Sequence, residues 1–84
     1  MIERINQLAG FDILSKSRKA EYVWARFAVC YLLAELGLTD REIGEMIGLD
    51  RTSAYYAINQ FKTKLEINDL LAVRFYNLFK TEIL

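Results

Sequence analysis

The sequence predicts an all-α fold, a small helical bundle, and three observations predict it. Apolar residues recur three and four apart rather than two apart, the period of a helix and not of a strand. The 84 residues include no proline, so nothing forces a break inside a helix, while glycines follow helix-periodic stretches at positions 10, 37 and 48. Hydrophobic residues make up 54% of the chain, too many for disorder, and the length supports one modest core, hence one domain over residues 1–84.

Each element has its own justification. Ile2, Ile5 and Leu8 share one side of a short amphipathic helix from Met1 to Ala9, stopped by Gly10. Phe11, Ile13 and Leu14 follow and are expected to plug one end of the core. Ser15 to Lys19 is the one polar, basic connection. Ala20 to Leu36 is the strongest helix, with Glu21, Arg26 and Glu35 as its only charges. A helix apolar on most sides is one that others pack around, and Val29, Leu32, Leu33 and Leu36 form its expected buried stripe.

Thr39 to Phe61 is the stretch the chain is organised around. Thr39 and Glu42 have the spacing of a capping box. Ile43 and Ile47 share a face with Gly44, whose missing side chain lets another helix come close, and Gly48 supplies a left-handed stop. Asp50 then caps a second helix with Ala54, Ala57 or Ile58, and Phe61 inward. Small residues and glycine at this spacing are the helix-turn-helix pattern. The outward residues Arg51, Thr52, Ser53, Tyr55, Tyr56 and Asn59 can hydrogen-bond or stack, as a DNA-reading helix requires and a plain helical hairpin does not. Tyr55 and Tyr56 lie about 100° apart on a helix, so one is expected to pack and the other to face out. Lys62 and Lys64 fall on or just past the last turn, near a phosphate. Asn68 is placed to cap a final helix from Asp69 to about Glu82, with Leu71, Phe75, Leu78 and Phe79 on one stripe.

Formal net charge is zero, unusual for a DNA-binding domain, but the charge is segregated. Lys16, Arg18, Lys19 and Arg26 stand against Glu21, whereas Glu35, Asp40, Glu42, Glu45 and Asp50 stand against Arg41. A basic patch can exist on such a chain. Glu45 is expected to point away from it, since it would repel phosphate. With no histidine, no phosphate-cradling glycine loop and no paired acids beside a nucleophile, the sequence offers an enzyme nothing to build on, and it implies no cofactor. The single Cys30 lies in an apolar run and is expected to be a buried small hydrophobe. The chain starts without an export signal and its longest uncharged run is too short to span a bilayer, so a cytoplasmic, nucleoid-associated protein is expected.

The run SRKAEYVWARFAVCYLL, from Ser17 to Leu33, resembles the start of the DNA-binding C-terminal domain of the bacterial replication initiator DnaA. Arg18-Lys19, Val23, Ala25-Arg26, Glu35-Leu36, Glu42-Ile43-Gly44, Gly48 to Ala54 and Tyr55 to Ile58 all look like parts of that domain's signature. The resemblance covers about Ile2 to Phe61. It implies an all-helical fold of the DnaA C-terminal-domain and Trp-repressor-like kind, with a helix in the major groove and the basic loop at the adjacent minor groove. Carried onto this chain, Asp50, Arg51, Thr52 and Ser53 would reach base edges, Lys16, Arg18 and Lys19 the minor groove, and Arg26 a phosphate. Leu49-Asp50-Arg51 stands where the family has Arg-Asp-His, and Ala20 replaces a basic residue, which points to an altered target sequence.

The expected partner is double-stranded DNA, with a role in replication initiation or transcription and no ATPase activity, since no P-loop is present. The competing expectation is a protein–protein adaptor on a degenerate helix-turn-helix fold, using aromatics exposed on the final helix. A homodimer through Leu71, Phe75 and Phe79 is a further possibility for the DNA-binding domain, set against the commoner use of such a stripe as core.

Overall fold

Five helices and no strand make up the computed structural model, which describes residues 1–84: α1 (Ile2–Ala9), α2 (Ala20–Leu36), α3 (Asp40–Ile47), α4 (Arg51–Glu66) and α5 (Leu70–Ile83). Their ends follow from local chemistry. Gly10, Gly37 and Gly48 take the left-handed conformation that closes α1, α2 and α3. At Gly37 the cap is completed by the Leu38 N–H donating to the Leu33 carbonyl, 3.1 Å. Before α3 both halves of the capping box form: the Glu42 N–H donates to Thr39 Oγ1, 3.2 Å, and the Thr39 N–H to Glu42 Oε1, 2.9 Å.

α2 is the central rod. It packs against α5, α4 and α3, while α1 lies on α5 and α3 on α4. Ala25, Ala28, Val29, Cys30, Leu32 and Leu33 are all buried, so the helix is enclosed on several sides at once, as its composition predicts. Its buried stripe ends at Leu33: Leu36, in the closing turn, is 52% exposed, contrary to expectation. Ile13 is fully buried and does plug the core, whereas Phe11 only packs at its margin and Leu14 faces solvent. No helix is long and apolar enough to cross a membrane.

The last third of the chain differs most from expectation. α4 runs on to Glu66, so Lys64 lies on its last turn, the first of the two placements expected, and Lys62 just before it. Asn68 does not cap α5. It adopts φ 56°, a conformation that asparagine tolerates, and Asp69 makes the cap instead, its Oδ2 accepting from the Ala72 N–H, 3.1 Å. Phe75 and Phe79 are buried and stacked on each other, centroids 5.6 Å apart, beside Ala72 and Ile83. Of the stripe offered to a homodimer, Phe75 and Phe79 are therefore core and Leu71 packs half-buried against it, because α2 and α1 already lie on α5.

Candidate nucleic-acid interface

The helix-turn-helix is held together at Gly44, where the Gly48 and Leu49 N–H groups both donate to one carbonyl, 2.8 Å each. The group that needs Gly44 to lack a side chain is the backbone of the turn rather than a neighbouring helix: a Cβ there would lie 2.5 Å from the Leu49 carbonyl oxygen. Asp50 opens α4, its Oδ1 accepting from the Ser53 N–H at 2.6 Å. Hydrogen bonding to Ser53, and more weakly to the Thr52 backbone, holds the Asp50 carboxyl below its ordinary range, so it stays ionised.

Ala54, Ala57 and Phe61 anchor α4 in the core, with Ile58 half-buried. The opposite side, Arg51, Thr52, Ser53, Tyr55, Tyr56, Asn59 and Lys62, is exposed. Both tyrosines face out, Tyr55 60% and Tyr56 58% exposed, so neither is core. Tyr56 still meets Phe27 edge to face, centroids 6.4 Å apart, because small Ala57 takes the inward position beside it. Asn59 donates from Nδ2 to the Tyr55 carbonyl, 2.9 Å, which spends one amide hydrogen within its own helix. Arg51, Thr52 and Tyr55 share a shallow depression with Asp40 of α3, an acid that no local spacing places there.

Lys16, Arg18 and Lys19 are all exposed on the connection between α1 and α2. Arg26 is not beside them at the surface. It is half-buried, and its guanidinium donates to backbone carbonyls of the connection: Nη1 to Ile13 at 3.4 Å and to Ser15, and Nη2 to Ser17 at 3.0 Å. Burial lowers its pKa from the ordinary arginine value, and the three carbonyls are the polar partners that a partly desolvated cation needs. The resemblance gives Arg26 a phosphate; in this structure its guanidinium is turned to the loop carbonyls.

Loop and turn meet across a cleft lined by Leu14, Ser15, Lys16 and Arg26 on one side and Glu45, Met46, Ile47, Gly48 and Leu49 on the other. Lys16 therefore shares this cleft with Gly48 and Leu49, the turn that leads into α4. Glu45 does not point away: it lines this cleft, with its carboxylate 3.4 Å from Arg41 Nε. The one signal for that pairing in the sequence is the four-residue spacing of Arg41 and Glu45. Trp24 faces Lys64, whose ammonium lies 5.3 Å from the ring centroid, a pairing across forty residues that no local spacing signals.

Capped short helix, glycine-held turn and anchored second helix with a polar outer face define the helix-turn-helix class. Within it, residues 2–60 match the family model described as the bacterial dnaA protein helix-turn-helix, and the chain belongs to that family. The match spans the basic loop, α2, α3 and most of α4. This family is a DNA-binding and not a catalytic one. No curated protein and no solved structure matches the chain.

Proposed function

We propose that this chain binds double-stranded DNA in a sequence-specific way, α4 lying in the major groove and the basic loop at the adjacent minor groove. One observation supports it above the others: Lys16 of the basic loop and the turn that leads into α4, Gly48 and Leu49, line a single cleft. A phosphate strand separates adjacent grooves, so a basic loop and a helix-turn-helix turn that flank one cleft suit a strand running between them.

Each residue has a role that fits its setting. Arg51 can pair bidentately with guanine, Asp50 can accept from a cytosine amino group, and Thr52 can pack on a thymine methyl. Ser53, Tyr55, Tyr56 and Asn59 extend this surface along the helix, and Lys62 reaches a phosphate. Lys16, Arg18 and Lys19 serve the minor groove. Such a domain acts as one unit at sites on the chromosome, in the cytoplasm, and regulates replication initiation or transcription by occupying DNA, with no ATP hydrolysis of its own.

The test is selection of binding sites from random duplexes, with wild type and Arg51→Ala in parallel at two salt concentrations. A single enriched sequence, relaxed by Arg51→Ala, is expected. Five cations brought to the duplex, Lys16, Arg18, Lys19, Arg51 and Lys62, if each displaces about one counterion, predict that log K falls with log salt at a slope of about −4 to −5. Absence of enrichment together with salt-insensitive or undetectable binding overturns the DNA reading in favour of a protein adaptor.

A further inference from the structure

We propose that Arg26 is a positioning residue for DNA binding, which acts by holding the basic loop in its binding shape and not by contacting DNA; this rests on the DNA reading above. Three observations carry it. The guanidinium donates to the carbonyls of three alternate residues, Ile13, Ser15 and Ser17. Exposure alternates in step with them: Ile13 is buried and Ser15 and Ser17 half-buried, whereas Leu14, Lys16 and Arg18 are exposed. Those Arg26 contacts are the only hydrogen bonds that join residues 14–18 to any helix.

The remaining bonds of the segment are local. The Ser17 N–H donates to Ser15 Oγ and the Lys19 N–H to Ser17 Oγ, each at 3.3 Å, and these fix turns without tying the loop to the fold. One fork of donors is therefore what turns the odd-numbered residues inward and sends Lys16 and Arg18 outward. A lysine in its place keeps the charge but is a point donor without the planar fork that reaches several carbonyls at once. A loop ordered before it meets DNA loses less conformational freedom on binding than one that must be ordered then.

The clamp separates cleanly from a phosphate contact. A phosphate ligand tolerates Arg26→Lys, adds its effect to that of Lys16→Ala/Arg18→Ala, and lowers the salt slope by about 0.9. A clamp predicts that Arg26→Lys weakens binding nearly as much as Arg26→Gln and that either lowers the slope by about 2 to 3, since the loop cations are lost together. It also predicts a non-additive cycle: Lys16→Ala/Arg18→Ala costs about tenfold in wild type but less than about twofold in Arg26→Lys.

The experiment is DNA titration of this mutant set against the selected duplex, with thermal melting of each variant. A parallel measurement uses the wild type alone, so that a misfolded variant decides nothing. Arg26 Nη protons, followed by NMR, are expected to be separately resolved in the free protein and unchanged when duplex is added. An additive cycle, full rescue by Arg26→Lys, or Nη signals that become resolved only with DNA would each overturn the clamp. Wild type that binds no duplex overturns the DNA reading itself, a different outcome from wild type that binds with an additive cycle.

Discussion

Gly44 and Leu49 are in backbone contact: the Leu49 N–H donates to the Gly44 carbonyl at 2.8 Å, and a Cβ on Gly44 would stand 2.5 Å from the Leu49 carbonyl oxygen. Two effects oppose each other in Gly44→Ala. Alanine gains about 1 kcal/mol over glycine in a helix interior. Forcing a methyl against backbone costs about 1–3 kcal/mol, and here the obstructing atom belongs to the turn itself, which cannot swing aside like a side-chain end. The clash wins. Gly44→Ala is expected to lower the melting temperature and to weaken DNA binding further by shifting α4 relative to α3, whereas Gly48→Asn, at a left-handed position asparagine tolerates, melts close to wild type.

Acid sensitivity follows from the two capping carboxylates. Hydrogen bonds from the Thr39 N–H to Glu42 and from the Ser53 N–H to Asp50 hold both carboxyls below their ordinary values of 4.5 and 3.8. Groups depressed in the folded state contribute stability above their unfolded values, and that contribution is lost as pH falls through the folded ones. Melting temperature is therefore expected to be flat near neutral pH with respect to these groups and to decline below about pH 4. Asp50→Asn keeps a capping oxygen and removes part of that acid dependence, which melts of the two proteins across the acid range will show.

What could be read from the sequence was whatever lies within one turn of chain. The caps at Thr39 and Asp50, the glycine stops at Gly10, Gly37 and Gly48, and the span of α2 depend on neighbours three or four residues away, and the structure has them as expected. Arg26 shows the limit: its partners lie nine to thirteen residues back in a loop with no periodicity to read. Asp40 beside Arg51 and Glu45 opposite Lys16 are likewise juxtapositions made by how α3 sits on its neighbours. Asn68 and Asp69 failed for another reason. Both residue types cap helices, and the choice fell to the one whose neighbour could adopt a positive φ.

α5 lies beyond the residues matched by the family model, yet it supplies part of the core. Phe75 and Phe79 are 1% and 0% exposed, and Arg4 of α1 pairs with Glu82 at 3.4 Å. Phe79→Ala is expected to cost about 3–5 kcal/mol, against a total of about 4–12 kcal/mol for a chain of this length. Denaturant unfolding should show a shifted midpoint, and DNA affinity should fall in proportion to the unfolded fraction. An exposed change on the same helix, Arg74→Ala, should leave both nearly untouched.

Cys30 is fully buried and its thiol is pushed up to about 12 by desolvation. Since the thiolate is the reactive form, folded protein is expected to resist alkylation at neutral pH and to react fully once unfolded by denaturant. A raised value in the folded state means stability that is intact below the unfolded thiol's range and declines as pH rises from there toward 12. Cys30→Ala should remove that alkaline component at the cost of a small cavity, which melts above about pH 9 compared with neutral melts will resolve.

Glu45 is the acid that works against the proposed interface. It lines the cleft opposite Lys16 and is only loosely paired with Arg41, both side chains being largely exposed. An exposed pair of this kind contributes little to stability, so Glu45→Gln should melt like wild type. If a phosphate strand crosses the cleft, removing the negative charge lowers repulsion worth on the order of 1 kcal/mol at close range in water. Glu45→Gln is therefore expected to bind duplex about two- to fivefold more tightly at low salt. The gain should shrink as the Debye length falls to about 3 Å at molar salt. Unchanged affinity at every salt concentration would place the phosphate strand away from Glu45, and the docking of the loop and α4 across one cleft would have to be redrawn.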